Sequence, residues 1–189
     1  MKKMYSLVAV VVLMTGCSYK NETIELPSYK TQYLSQTTQD QHSESFLSVT
    51  DAREDKTSIG YVEANSQVTS KFYSNVDFAE RYKEGLANAL KSAKFNLSDN
   101  PAGADTTIDV KIKAIQIVYN DTNKFDENLH GKIIIEVTLN KQGKKIEQTF
   151  TQKQGKWIKP SYSSKDIEPF LYTIFTDSIN SIVAKLVVQ

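Results

Sequence analysis

The strongest constraint on the fold is an alternation of apolar and polar residues in the second half of the chain. Within residues 106–119, apolar side chains take every second position, slip by one residue, and then alternate in the opposite phase. A period of two residues is that of a β-strand, and a β-bulge produces a slip of one residue. The pattern therefore predicts one long strand with a bulge. Its apolar residues are Ile108, Val110, Ile112, Ile115, Ile117 and Tyr119.

Two further alternating segments follow this strand. Apolar residues recur at alternate positions in residues 129–139 and more sparsely in residues 144–153. Between them lies a tight turn that ends in Gly143, where glycine permits a positive φ. Most other positions of residues 144–153 are polar, so this strand is predicted to be half exposed. Shorter strands are predicted at residues 46–50, 59–62 and 68–73.

Two segments have apolar residues spaced by three and four, as in amphipathic helices. The first covers residues 78–95, with a capping box formed by Asp77 and Glu80. The second closes the chain, and Asp166 is its predicted N-cap because Pro169 then falls in the first turn, where no N–H is needed. This order of elements predicts an α+β domain, a mostly antiparallel sheet with two amphipathic helices packed on one face.

The start of the chain has the features of an export leader. Lys2 and Lys3 precede an apolar run over residues 7–14, which is too short to span a bilayer. The run leads into Cys17 and resembles a bacterial lipobox, with Met14 where a lipobox usually has Leu. The resemblance implies that residues 1–16 are a signal peptide and that Cys17 is acylated, palmitate included, so that its acyl groups hold the chain on a membrane. The alternative is a plain signal peptide followed by an incidental cysteine.

Residues 17–45 are predicted to be a flexible, lipidated tether in front of a single periplasmic α+β domain at residues 46–189. The segment is polar and would reach about 30 Å as a flexible chain. Two apolar spots, at residues 24–26 and 33–34, leave open that part of it docks as an edge strand. Ser18 follows the cysteine where an Asp would resemble an inner-membrane retention signal. This favours the outer membrane, with the domain facing the periplasm.

Composition and motifs argue against several classes of function. The chain has 23 Lys and Arg against 22 Asp and Glu, without the basic excess of a nucleic-acid binder. Its single cysteine excludes an internal disulfide, and its two histidines leave little for a metal site. No catalytic or nucleotide-binding motif is present. We therefore expect no metal, no cofactor and no enzymatic activity, and we interpret His130 as a solvated loop histidine.

A lysine-rich stretch at residues 141–159 is the best candidate for an interaction site. Lysines beside an aromatic residue suit an anionic partner, such as an envelope protein or a wall polymer. The alternative is that lysines on an exposed strand discourage aggregation. Arg53, in a charged loop, is a further candidate, although a structural pairing of Arg53 is favoured. The candidate partner-binding residues are Lys144, Lys145, Lys153, Lys156, Trp157, Lys159, Tyr162 and Arg53.

The order of these features resembles the YajG family of bacterial envelope lipoproteins. The resemblance rests on the leader, on residues 49–53 (Val-Thr-Asp-Ala-Arg), on Ile59-Gly60, and on a helix ending at Lys94-Phe95 before the hairpin and the last helix. Lys94 stands where the family usually has Gly. More weakly, the body resembles the TolB N-terminal and LpoB-type lipoprotein modules. These resemblances imply location and architecture rather than an activity.

Two hypotheses of function remain after these exclusions. In the first, a lipid anchor holds a small domain that binds and positions another envelope component without catalysis. In the second, the domain holds a small apolar ligand or lipid in a pocket between the sheet and the helices.

Overall fold

The computed structural model describes residues 21–31, 43–123, 125–160 and 162–189. Cys17, the predicted signal peptide and much of the predicted tether lie outside these residues. The strands are β1 (Glu22–Thr23), β2 (Glu44–Asp51), β3 (Ser58–Ala64), β4 (Gln67–Tyr73), β5 (Asn96–Ser98), β6 (Thr106–Asn120), β7 (Leu129–Lys141) and β8 (Lys144–Lys156). The helices are α1 (Phe78–Ser92) and α2 (Ser164–Leu186), and a short 3₁₀ turn covers Pro101–Gly103.

The sheet is organised around β6. On one side β6 pairs with antiparallel β7, which in turn pairs with antiparallel β8. On the other side, β2 runs parallel to the first half of β6 and β3 runs parallel to its last part. The α+β prediction is confirmed, but the sheet is mixed rather than mostly antiparallel. The chain between β2 and β6 passes through α1, and a crossover of this kind returns it in the same direction, which makes the pair parallel.

The predicted bulge in β6 lies at Lys113. The register between β6 and β7 shifts between Ile112 and Ala114, so Lys113 has no residue opposite it. The slip keeps apolar side chains directed to one face along the whole strand: Ile112, Ile115 and Ile117 are all buried. Beside the bulge, β2 ends at Asp51 and β3 begins at Ser58.

Both helices cover the same face of the sheet, as predicted. Their contact centres on Tyr82 of α1, which is fully buried and packs edge to face against Phe175 of α2, with ring centroids 4.7 Å apart. The Tyr82 hydroxyl lies 2.7 Å from the hydroxyl of Ser178, which in turn donates to the carbonyl of Phe175. Burial raises the pKa of Tyr82, so this phenol stays neutral. Large side chains therefore fill the space between the helices and the sheet.

The ends of the helices differ from the predictions in two places. The N-cap of α2 is Ser163 rather than Asp166, and Asp166 completes a capping box with Ser163. The hydrogen bond from the Ser163 N–H to Asp166, 2.9 Å long, holds the pKa of this carboxyl below its ordinary value. α1 is followed by Lys94 with φ of 69°, in the left-handed region, and the Phe95 N–H donates to the carbonyl of Leu90. Lys94 thus occupies a conformation that favours glycine.

Residues 21–31, within the predicted tether, pack on the domain; we name them the strap. The strap begins as β1, parallel to β4, and then crosses the helices. Ile24, Leu26 and Tyr29 are buried, and a Cβ on Gly85 of α1 would lie 3.0 Å from the Cβ of Tyr29. The apolar spot at residues 24–26 therefore belongs to the core. The spot at residues 33–34 lies outside the described residues.

Candidate functional site

The predicted basic residues do not form a single patch. Lys144 and Lys145 begin β8, whereas Lys153 and Lys156 end it. Lys153 lies nine residues after Lys144 along the strand, a distance of about 30 Å. In the described part of the chain β8 pairs with β7 alone, so it forms an edge of the sheet. The two ends of this edge have different surroundings.

At the beginning of β8 one of the lysines, Lys145, is paired within the chain. Lys145 Nζ lies 2.5 Å from Glu147 Oε1. The hydrogen bond and the charge of Glu147 raise the pKa of Lys145, and the reciprocal contact lowers the pKa of Glu147. This end of the strand therefore presents the paired charge of Lys145 beside Lys144, which lies opposite Lys141 and forms no ion pair with a carboxylate among the described residues.

Near the end of β8 the sheet face turned away from the helices forms a shallow depression. It has a volume of about 330 Å³, and we name it the basic depression. Three neighbouring strands supply its surface, because the register places Gln116 and Lys132 beside Lys153, and Val118 and His130 beside Gly155. Its lining residues are Gln116, Val118, His130, Gly131, Lys132, Lys153, Gln154 and Gly155.

Two lysines face each other in this depression. Lys132 of β7 lies directly opposite Lys153 of β8. Like charges in such a pair destabilise a sheet, by roughly 0.2–1 kcal/mol. Among the described residues, no carboxylate forms an ion pair with either lysine. The fold thus keeps two positive charges together where an anion would relieve their repulsion.

Glu127 limits the depression on one side. A Cβ on residue 155 would overlap the carboxylate of Glu127, so this carboxylate lies against the β8 backbone at Gly155. The basic depression therefore has cationic groups on its floor and a carboxylate at its border, an arrangement that would orient a partner of mixed charge.

The remaining predicted partner-binding residues lie beyond the end of β8. Trp157 is 47% exposed, and Lys159 Nζ lies 3.6 Å from Asp166 at the start of α2. Tyr162, predicted as a partner-binding residue, is half-buried, and its ring packs against Tyr119 and Phe72, at centroid distances of 4.4 and 5.9 Å. Its contacts are those of a core residue.

Arg53 is also held within the domain. Its Nη2 lies 2.7 Å from Asp51 Oδ2 and 2.9 Å from the carbonyl of Lys56, and its guanidinium stacks over Phe78 at 4.8 Å. Burial alone would raise the pKa of Asp51, but the hydrogen bonds and charge of Arg53 outweigh it and hold this pKa below its ordinary value. The structural pairing of Arg53 is therefore present, and the side chain is 7% exposed.

Sequence reasoning missed Lys132 and Gln116 as site residues. It placed His130 at the start of the strand at residues 129–139 and interpreted it as a solvated loop histidine, and the structure places it in β7 beside the lysines. The turn between β7 and β8 could have identified Lys132. The pair between Lys141 and Lys144 fixes the register of the hairpin, and counting back along both strands places Lys132 opposite Lys153. The alternation directs both side chains away from the helices.

Two further properties concern only the described residues. None of their helices is both long and apolar enough to span a bilayer. Their His, Asp and Glu side chains form no group of three or more that could hold a metal ion.

Two solved structures share this fold at low sequence identity, and a third is less similar. An uncharacterised protein shares 14% identity and a TM-score of 0.58, with coverage of 89% of this chain and 99% of the other. An uncharacterised protein from Xanthomonas campestris shares 9% identity and a TM-score of 0.60, with coverage of 88% and 94%. A minor lipoprotein from Acinetobacter baumannii has 13% identity, a TM-score of 0.42, and coverage of 68% and 91%.

The family comparison covers most of the chain. Residues 30–186 match a family described as uncharacterized lipoprotein, which carries no catalytic description. No curated protein sequence matches the chain. Since the family match extends from the strap to the last turn of α2, the chain belongs to this family of YajG-like bacterial lipoproteins.

Proposed function

We propose that this lipoprotein acts without catalysis, as a membrane-anchored module that binds an acidic segment of another envelope protein. Acyl groups on Cys17 hold it on the periplasmic side of the outer membrane. The basic depression receives the partner. The observation that carries the proposal is the unneutralised pair of Lys132 and Lys153, facing each other in the depression.

The depression suits a carboxylate-bearing partner. Two ammonium groups on adjacent strands attract an anionic group between them, and the open sheet face leaves room for a peptide. Gln116 adds an amide beside the lysines, and the imidazole of His130 lies in the same depression. These side chains lie on paired strands, so little ordering is needed when a partner binds.

The edge of β8 adds a second mode of contact. An extended segment could continue the sheet through backbone hydrogen bonds while its acidic side chains reach Lys153. Lys144 and Lys156 begin and end this edge, where they would also discourage pairing with an unspecific apolar strand. An acidic strand is therefore favoured over an apolar one.

The second hypothesis requires space between the sheet and the helices. Tyr82, Phe175 and the buried isoleucines of β6 occupy that position. The observations therefore favour the surface depression as the binding site.

Site-specific crosslinking in cells tests the proposal. A photoreactive amino acid replaces Thr151, an exposed residue on the same strand and face as Lys153, or Lys83, exposed on α1 as the control. We expect the probe at position 151 to capture one reproducible envelope protein that the probe at position 83 does not capture. Mass spectrometry of the conjugate identifies the protein and the attached peptide, which we expect to be rich in Asp and Glu.

Charge reversal supplies the matched comparison. Lys132→Glu with Lys153→Glu should abolish the crosslink and leave the melting temperature within a few degrees, because both side chains are on the surface. Lys83→Glu with Lys91→Glu makes the same change in net charge on α1 and should leave the crosslink intact. Loss of the crosslink in both double variants, or in neither, would contradict binding at the basic depression.

A further inference from the structure

Of the four large apolar side chains that are exposed in the described residues, three lie at one end of the sheet, and the fourth, Val188, follows α2. Phe125 is 94% exposed, Val68 58% and Trp157 47%. Val68 lies next to the turn between β3 and β4, Phe125 lies in the loop between β6 and β7, and Trp157 directly follows β8. The register brings these positions to one end, since Glu63 pairs with both Val68 and Asn120, and Leu129 pairs with Lys156. We name Val68, Phe125 and Trp157 the apolar end.

The N-terminal segment enters the fold at the same end. β1 is parallel to β4, and Glu22 pairs with Phe72, so the chain that precedes Asn21 comes from the side where β4 begins, near Val68. The Asn21 side chain accepts a hydrogen bond of 3.0 Å from the Lys71 N–H, which fixes this entry point. Only residues 18–20 separate Asn21 from Cys17, and fully extended this link spans at most about 14 Å.

The loops that carry the two aromatic residues are fixed to each other. Asn128, which is fully buried, donates to the carbonyl of Ile158 and accepts from its N–H, both at 2.8 Å. The segment after Ile158 is held by Tyr162, whose ring packs against Tyr119 at the end of β6. Phe125 and Trp157 are thus exposed on a braced framework.

The charges near the apolar end are of both signs. Lys156 and Lys159 lie next to Trp157, and Asp121, Asp126 and Glu127 lie in the loop with Phe125. Charge therefore gives no strong preference for an anionic surface. Trp and Phe side chains are favoured at the headgroup level of a bilayer, where they bury apolar area without crossing it.

From these observations we propose that the apolar end rests on the phospholipid surface, with Trp157 and Phe125 inserted at the headgroup level. The inference relies on the acylation of Cys17 in the proposed function, because the short link then brings this end to the membrane. The occupant is the lipid leaflet in which the acyl chains of the same molecule are anchored. The basic depression, on the side of the sheet, remains open to a partner in this orientation.

Fluorescence quenching by lipid tests the inference, because Trp157 is the only tryptophan. The acylated full-length mature protein, with its acyl mass verified, is reconstituted in phosphatidylcholine vesicles whose acyl chains carry bromine near the headgroup. We expect Trp157 to lose more than half of its fluorescence relative to unbrominated vesicles. The matched control is Trp157→Phe with Val188→Trp, which moves the fluorophore to an exposed position after α2, at the other end of the domain. This control should lose less than a tenth of its tryptophan fluorescence in the brominated vesicles.

Two variants separate lipid contact from mere tethering. Val68→Ser with Phe125→Ser removes apolar contact without touching the core, and it should reduce the quenching at least twofold with an unchanged melting temperature. Insertion of 20 Gly and Ser residues after Ser18 lengthens the link to Cys17 and should likewise reduce the quenching of Trp157 at least twofold.

The opposite results would overturn the inference. Equal quenching in the wild type and the Val188→Trp control would show that the domain has no preferred orientation. Protection of Trp157 from aqueous iodide without quenching by brominated lipid would show that a protein surface, such as a second copy, covers this end instead. Both results concern lipid contact alone, whereas the crosslink at position 151 reports on the partner, so the two proposals can fail independently.

Discussion

The phenolic hydroxyl of Tyr29 donates a 2.7 Å hydrogen bond to Oδ1 of Asn180, joining the strap to α2 across 151 positions of the sequence. The Tyr29 ring covers Gly85 on α1, and the Lys30 N–H donates to the hydroxyl of Tyr172. The strap is therefore fastened to both helices.

Tyr29→Phe removes this hydrogen bond and leaves the Asn180 amide without it. We expect the free energy of unfolding to fall by about 1 kcal/mol, the usual value for such a bond. Tyr29→Ala also removes the ring from Gly85 and should cost about 3 kcal/mol. Urea denaturation followed by circular dichroism measures both. Equal stability of wild type and Tyr29→Ala would contradict the docking of the strap.

Lys94→Gly should stabilise the protein. Lys94 has φ of 69°, which strains a residue with a Cβ and is unstrained for glycine. We expect a gain of about 1 kcal/mol, seen as a higher urea midpoint at an unchanged slope. Lys91→Gly, in the last turn of the same helix, is the control and should lose about 1 kcal/mol. If Lys94→Gly lowered the free energy of unfolding instead, the Lys94 side chain would stabilise the protein by more than its backbone strain destabilises it.

The pair formed by Asp51 and Arg53 should make stability depend on acid. The folded pKa of Asp51 lies below its ordinary value of 3.8, so the pair's contribution is complete above that pH and is lost as the pH falls through the folded pKa. Asp51→Asn leaves the buried guanidinium unpaired and should cost about 3 kcal/mol at pH 7. The difference in free energy of unfolding between the two proteins should shrink below pH 4. If the difference in free energy of unfolding stayed constant from pH 7 to pH 2, the stabilising role of the Asp51 charge would be contradicted.

Cys17→Ala should abolish acylation. In cells supplied with labelled palmitate, we expect the wild-type protein to carry the label and the variant to carry none, because Cys17 is the only cysteine. Ser18→Asp keeps the cysteine and is the matched control for label; its membrane fraction should shift from outer to inner. Label on the Cys17→Ala variant would contradict the lipobox interpretation.

The local patterns predicted much of the fold because they reflect local geometry. The alternation in β6 and β7 gave both strands and the bulge at Lys113, and spacings of three and four gave α1 and α2. The parallel pairing of β2 and β3 with β6 depends on contacts across more than 50 positions, which no local period reports. The predicted N-cap of α2, Asp166, was chosen because it puts Pro169 in the first turn, its preferred position. The helix instead begins three residues earlier, so Pro169 lies within it.

The candidate site was only partly accessible to sequence reasoning. The lysine-rich stretch contained Lys153, but an extended strand spreads its members along its length, so neighbours in sequence became distant in space. Lys132 came from the opposite strand, and only the register of the hairpin brings it to Lys153. Tyr162 was predicted beside the basic residues as a partner-binding residue, but it packs against Tyr119. For Arg53 the favoured structural pairing is present, and its burial follows from stacking over Phe78.

The fastening of the strap sets how far this lipoprotein reaches from its anchor. A free tether of residues 18–45 would let the domain explore the periplasm, whereas with the proposed acylation of Cys17 a link of only three residues would keep one end of the domain near the lipid. The longest strand, β6, has 15 residues, which gives the body a height of about 50 Å. A partner of the anchored protein would have to come within that height, so partners that move along the same leaflet would meet it far more often than partners that diffuse in the space beyond.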